Sequence, residues 1–377
     1  MAPFVYLNNL GNLGDLLIAE GTRQRFAKLK VEWREYDENN LPDTFNLVFA
    51  GGAKITKEWG TASKELPLLT DKKINRCLIL PHSINGADDF LANLDARYVL
   101  ALREKYSLAY CREHALKVAE MHLFDDMAIN LDMEQVKREC VDLSSVRMQD
   151  LSSDEEKKAF KMLQNGFADK LKSGVRSSTV SSLLGNEMKR IAFLMRQDKE
   201  AAGLYPASHT FDISSVWYTT GKAMRFNTNI LLAFSDAMKE ADVIVTDRLH
   251  VAIMAWHSGR EVYMLDNSYK KLSGVYEQSL SGESKVHLIR EGVFPWDLDI
   301  AWTKLFIFKH IQRQNKKLDE LEHKLMLSLF EKKYKTRYRY CRLMSLLSWG
   351  KKKARYEEQR RQLATKLALM EDIYDEN

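Results

Sequence analysis

The sequence predicts an α/β protein: two successive doubly wound, Rossmann-like units, then a helical, basic extension. Three observations carry that reading. First, short and nearly continuous apolar runs alternate with helical spacing through the first 130 residues, as in parallel sheets covered on both faces. Second, the same alternation restarts near residue 191 after a polar, Ser- and Lys-rich stretch. Third, the charge is unevenly divided. The net charge of +5 hides a balance of +9 over residues 301–377 and −4 over residues 1–300. At 377 residues the chain suits two domains plus an addition, and 45% hydrophobic content is ample for packed cores.

Taken in order, FVYL at 4–7 reads as a strand, and NNLGNLGD follows as a glycine-rich turn. Leu16, Leu17, Phe26 and Leu29 then share a helical face. NLVFA (46–50), CLIL (77–80) and SLAYC (107–111) read as the next three strands. Residues 131–190 offer no strong strand candidate and read as a helical connection or insertion. In the second unit, IAFLM (191–195), DVIVT (242–246) and EVYML (261–265) are strands, with helices over 228–240 and the RLHVAIMAWHSG segment. The expected boundaries are therefore 1–135, 136–190, 191–300 and 301–377.

Several classes are excluded. With the positive excess confined to the last fifth of the chain, a uniformly basic nucleic-acid binder is not expected. No stretch reaches the roughly 18 apolar residues of a membrane span, and MAPFVYLNNL does not read as a signal peptide. The expected location is the cytoplasm. Cys77, Cys111, Cys140 and Cys341 are scattered without a CxxC, against a disulfide framework or zinc site. HLFDD offers His122, Asp125 and Asp126 but no partner cluster, so no metal is expected.

Two constellations point to chemistry. In NLGD, Gly11 and Gly14 permit a tight turn into a helix whose free N–H groups suit an anion. Asp15 reads either as the cap of that helix or as a general base. The glycine spacing is neither a P-loop nor a dinucleotide fingerprint. In TDRLH, a buried strand delivers Arg248 and His250 into the first helical turn, where positive charge opposes the helix dipole. A shared anionic ligand explains that placement. The next strand ends in DNSYKK, bringing Asp266, Ser268, Tyr269 and Lys270 to the same sheet edge. Arg112–Glu113 and Arg196–Asp198 are further pairs beyond strands, readable as surface ion pairs or as site residues.

Together these residues resemble the polysaccharide pyruvyl transferases, in the bacterial exopolysaccharide and capsule group. The matching pieces are NNLGNLGDLLI, LPHSI (80–84), YCRE (110–113), DDMAINL (125–131), FLMRQDKE (193–200) and TDRLHVAIMAWHSGREVYMLDNSYKKLSGVYE (246–277). GGA at 51–53 departs from the three glycines of many members, and the tail lies outside the match. The resemblance implies two lobes like those of GT-B glycosyltransferases. It implies transfer of a pyruvyl group from phosphoenolpyruvate to a sugar of a glycan or lipid-linked oligosaccharide, with no further cofactor. The proton transfers of ketal formation then suggest His250 as general acid toward the donor and Asp15 as base toward a hydroxyl, the two expected catalytic residues. Arg248, Leu249, Lys270, Arg112, Ser268 and Tyr269 would hold the donor. Asn12, Gly14, Asp15 and Ser83 would face the acceptor. A nucleotide-sugar glycosyltransferase is the alternative, and a non-catalytic scaffold the second.

The tail reads as a coiled coil, a helical hairpin packed on the lobes, or a membrane-surface element. Residues 334–356 interleave aromatic and basic side chains, which suits an acidic membrane surface at the inner face of the cytoplasmic membrane. A homo-oligomer is compatible with the chain.

Overall fold

The computed structural model describes residues 2–9, 11–58, 68–198, 200–201, 210–219, 224–266, 270–290, 294–312, 332, 335–347 and 351–375. The chain divides into two compact units, Met1–Trp302 and Thr303–Asn377.

The first unit holds two main sheets. Strands β1 (Phe4–Leu7), β3 (Trp33–Glu35), β4 (Phe45–Phe49), β5 (Ile74–His82), β6 (Tyr98–Leu102) and β7 (Glu120–Leu123) form one. Their order is β3-β1-β4-β5-β6-β7 and every pairing is parallel. All five residues of β4 are buried, as expected for a strand covered on both faces. The second sheet contains β8 (Thr179–Leu184), β9 (Glu187–Phe193), β11 (Val243–Thr246), β12 (Glu261–Leu265) and β13 (Val286–Ile289), in the order β13-β12-β11-β9-β8. It is parallel except for the β8–β9 hairpin. Two short strands, β2 (Gly11–Asn12) and β10 (Tyr218–Thr219), pair antiparallel and tie the loop after β1 to the segment before the last β-α-β run.

The helices needed below are α1 (Leu13–Lys28), α2 (Lys105–His114), α3 (Asn227–Met238), α4 (Leu249–His257) and α5 (Lys271–Val275). Helix α1 is fed by the first sheet but packs on α3, α4 and the 3-10 turn Met127–Asn130. Its Leu13, Leu16 and Leu17 belong to the same buried core as Ile230, Leu231 and Ile253. A separate core under the first sheet gathers Val5, Leu47, Phe49, Ile79 and Leu100. Cys77 and Cys111 are buried there as small apolar side chains.

Two sequence expectations are corrected. SLAYC at 107–111 is not a strand; it lies inside α2. The Glu104 side chain caps that helix by accepting from the Ser107 N–H at 2.9 Å, and Ser107 and Cys111, four apart, are its buried stripe. The fourth apolar strand is YVLAL, β6, which lies earlier. Residues 131–190 also contain strand structure. β8 pairs along its whole length with β9, and Gly185 turns the hairpin at φ +63°. The exposed polar residues of this edge hairpin hide its strand pattern in the sequence.

In the second unit, helical residues 335–347 pack against a long helix, α6 (Lys351–Asp375). Tyr340 meets Tyr356 edge-on at 6.4 Å between ring centres, and Cys341 lies 3.8 Å from Gln359. Among the described residues no helix is long and apolar enough to cross a membrane.

Candidate functional site

A cavity of about 560 Å³ opens where the carboxyl ends of strands from both sheets converge. Six strands contribute just beyond their last residues: Gly11, Asn12 and Asp15 come after β1, and Gly52, Ala53 and Lys54 after β4. Arg103 follows β6, Arg196, Asp198 and Glu200 follow β9, Arg248–Val251 follow β11, and Lys271 follows β12.

The wall on the α1 side is built by a capping box. Asn12 Oδ1 accepts from the Gly14 N–H at 2.8 Å, and Asp15 Oδ2 accepts from the Asn12 N–H at 2.9 Å. The N-cap of α1 is therefore Asn12 rather than Asp15; Asp15 is the third residue of the box, bonding back to the cap, and it also lines the cavity. Burial pushes its carboxyl above the ordinary range, although His250 and Lys54 pull the other way. Gly14 is required by close approach. A Cβ there would stand 2.5 Å from His250 Nδ1. Only a glycine lets the start of α1 lie against the imidazole.

The opposite wall is the start of α4. Thr246 Oγ1 accepts from the Arg248 N–H at 3.0 Å and donates to Leu194 O at 2.5 Å, locking the strand end to β9. Leu249, His250 and Val251, the first residues of α4, line the cavity. Their helix end offers N–H groups and a positive dipole end to an anion. His250 Nε2 stands 3.5 Å from Asp126 Oδ2, close enough for charge attraction but long for a hydrogen bond. Asp126 is fully buried, and burial alone would raise it. His250, Arg103 and the Ala128 N–H outweigh that and hold its carboxyl well below the usual carboxylate range.

Charge is dense and mostly paired. Arg103 is buried, donating to Asp126 Oδ2 at 2.6 Å and to Ser83 Oγ at 2.9 Å. Arg196 pairs with Asp198 at 2.8 Å and with Glu200. Arg248 donates to Asp198 at 2.9 Å and to Asp212, while its Nε has no hydrogen-bond partner among the described residues. Lys271 Nζ lies 2.9 Å from Glu200. Burial lowers the Lys271 ammonium to about 8, with Glu200 opposing and Arg196 and Arg103 adding to the shift. Lys54, Arg103, Arg196, Arg248 and Lys271 line the cavity with Asp15, Asp198 and Glu200, and Asp126 and Asp212 pair Arg103 and Arg248 from behind, so the cations are concentrated at the wall but largely balanced by carboxylates.

The expected site residues separate into three groups. His250, Asp15, Arg248, Leu249 and Asn12 all line the cavity. Gly14 packs on His250, and Ser83 lies behind the wall as the buried partner of Arg103. Arg112 is elsewhere: it is exposed in the last turn of α2, because the segment read as a strand is a helix. The arginine that follows the strand is Arg103. Lys270 is exposed too. It takes a left-handed backbone at φ 58°, and its ammonium sits over the Tyr106 ring at 5.6 Å, while Lys271 enters the cavity. Ser268 and Tyr269 lie outside the described residues.

Sequence reasoning placed Lys54 at a strand end without assigning it to the site, and it missed Arg103, Lys271 and the Asp126–His250 contact. The apolar run YVLAL closing on Arg103 was a usable signal for the first. Asp125 and Asp126, considered for a metal, are bound instead to Ser279 Oγ at 2.7 Å and to Arg103. Among the described residues no group of three or more His, Cys, Asp or Glu is arranged around a common metal position.

Fold and cavity define the class: an α/β protein with a charged cavity at the carboxyl ends of its parallel strands. The family follows from comparison. The family model for polysaccharide pyruvyl transferases matches residues 12–269, and the chain belongs to that family of transferases of glycan biosynthesis. No curated protein matches it. The crystal structure of a functionally uncharacterised protein from Klebsiella pneumoniae is similar, at 24% identity and a TM-score of 0.53. The alignment covers 76% of this chain and 92% of that one, and the likeness is one of fold.

Proposed function

We propose that the protein transfers the pyruvyl group of phosphoenolpyruvate to a sugar of a surface polysaccharide or its lipid-linked precursor, forming a cyclic ketal. In this reading the two sheets act as the lobes of a GT-B-like enzyme. The observation that carries it is the convergence of Arg103, Arg196, Arg248, Lys271 and His250 on one cavity. Phosphoenolpyruvate carries roughly three negative charges near neutral pH, so it requires charge-assisted contacts of this kind. The first turn of α4 adds N–H donors for phosphate or carboxylate oxygens.

The chemistry then assigns roles. His250 delivers a proton to the methylene carbon of the enol, and C2 becomes oxocarbenium-like. A sugar hydroxyl adds to C2 and gives its proton to Asp15, whose burial-raised carboxyl suits a base that later releases it. Phosphate departs with its bridging oxygen and takes up the proton from Asp15, and a second hydroxyl closes the ketal on C2, its proton returning to His250. Phosphoenolpyruvate and a diol become a ketal and inorganic phosphate, so atoms balance.

The test is a thermal-shift and phosphate-release assay on the full chain with phosphoenolpyruvate, then with sugar nucleotides. Stabilisation by phosphoenolpyruvate and acceptor-dependent phosphate release are expected. His250→Ala should lower turnover by about 10²–10⁴-fold while leaving donor stabilisation largely in place. Stabilisation by a sugar nucleotide alone would replace this reading with a glycosyltransferase.

A further inference from the structure

Helix residues 335–347 turn their apolar side chains the unusual way. Cys341 and Ser345 are buried, so the face packed on α6 is small and partly polar. The opposite face carries Leu343, Leu346 and Leu347, which are 54%, 74% and 67% exposed, and Tyr340, 54% exposed, stands at its edge, where its ring also meets Tyr356 of α6. A soluble hairpin would place three leucines of this spacing against its partner helix. Contiguous exposed apolar side chains of this kind mark an interaction site.

Charge decides the partner. Residues 332–356 contain ten Lys or Arg and no Asp or Glu. Arg339 and Arg342 flank the leucines on the same helix and are exposed. Lys352, Lys353 and Arg355 are exposed at the start of α6, next in the chain after the leucine helix. Two copies of such a surface would repel each other. An apolar patch rimmed by arginine and lysine complements acidic headgroups above acyl chains.

We infer that the face formed by Tyr340, Leu343, Leu346 and Leu347, with the basic residues beside it, docks the protein on an anionic bilayer surface. The leucines enter the headgroup–acyl boundary and the cations hold the acidic headgroups. This attachment is independent of the transfer reaction and does not rest on its assignment.

Vesicle flotation of the full chain tests it, using phosphatidylcholine alone or mixed with phosphatidylglycerol. Binding is expected only with phosphatidylglycerol and should weaken as salt is raised to about 0.5 M. Lys352→Gln with Lys353→Gln should weaken binding by about tenfold or more. Leu343→Ser with Leu346→Ser and Leu347→Ser should abolish it, with the thermal midpoint unchanged because these side chains are already in solvent. No flotation of the wild-type chain, equal flotation with neutral lipid, or full binding by the leucine variant overturns the inference. So does a leucine variant that merely converts a dimer to a monomer on gel filtration.

Discussion

The cavity and the tail both concentrate positive charge, but they hold it in opposite ways. Around the cavity, Arg103, Arg196, Arg248 and Lys271 are buried and each is matched to a carboxylate. Along residues 335–355, Arg339, Arg342, Lys352 and Lys353 are exposed, interleaved with apolar side chains. Burial makes a cation expensive unless it is paired, and in return fixes its position to within a hydrogen bond. Exposure leaves a cation mobile, screened by salt and additive with its neighbours. The first arrangement suits recognition of one small ligand, the second attraction to an extended surface. A net charge of +5 describes neither.

The contrast is most easily broken at Arg103. Arg103→Met leaves Asp126 without its 2.6 Å partner in a fully buried position. The expected loss is about 3–5 kcal/mol of stability, read as the shift in denaturant midpoint at constant slope. A loss below about 1 kcal/mol, the range of surface pairs, would mean that the buried network is not what holds this corner. The double change Arg103→Met with Asp126→Leu should recover part of the loss, because both orphaned charges are then gone.

A subtler effect is expected at Lys271, whose ammonium is lowered to about 8 by burial. Above that pH the cavity loses one cation, so KM for an anionic donor should rise between pH 8 and 9 while kcat changes little. Lys271→Met should raise KM at pH 7 and flatten that rise. Stability moves the other way. Between about 8 and the ordinary lysine value the unfolded chain binds the proton that the folded chain has released. Wild-type stability should therefore increase with pH across that window, and Lys271→Met should remove the increase. An unchanged KM profile in the variant would place the pH effect on another group.

Most of the fold was legible because it rests on continuous apolar runs. FVYL, NLVFA, IAFLM, DVIVT and EVYML all fall on strands, and the polar residues after them reach the cavity. The errors have physical causes. SLAYC and YVLAL are both five-residue apolar runs, and periodicity alone does not separate a short strand from a buried helix turn. The cap from Glu104 and the four-residue spacing of Ser107 and Cys111 decide it. Choosing between Lys270 and Lys271 depended on a left-handed residue at 270, which no hydropathy pattern encodes. In the Arg103–Asp126–His250 cluster, His250 lies more than 120 positions from the other two, and only the packing of α4 and α1 on the turn after Asp126 brings it to them.

The smallest effect is expected at Arg112. Its match to the family's arginine rested on reading the preceding segment as a strand. In the structure it is exposed near the end of α2, outside the cavity lining. As a cation in the last turn it interacts favourably with the helix dipole, worth a few tenths of a kcal/mol at most when exposed. Arg112→Ala should therefore shift stability by less than about 0.5 kcal/mol and leave donor KM within about twofold of wild type. Arg103→Met, one strand end away, should change both. A donor KM raised more than about tenfold by Arg112→Ala alone would mean that α2 reorganises when the ligand binds, because in this arrangement its guanidinium has no route to a ligand in the cavity.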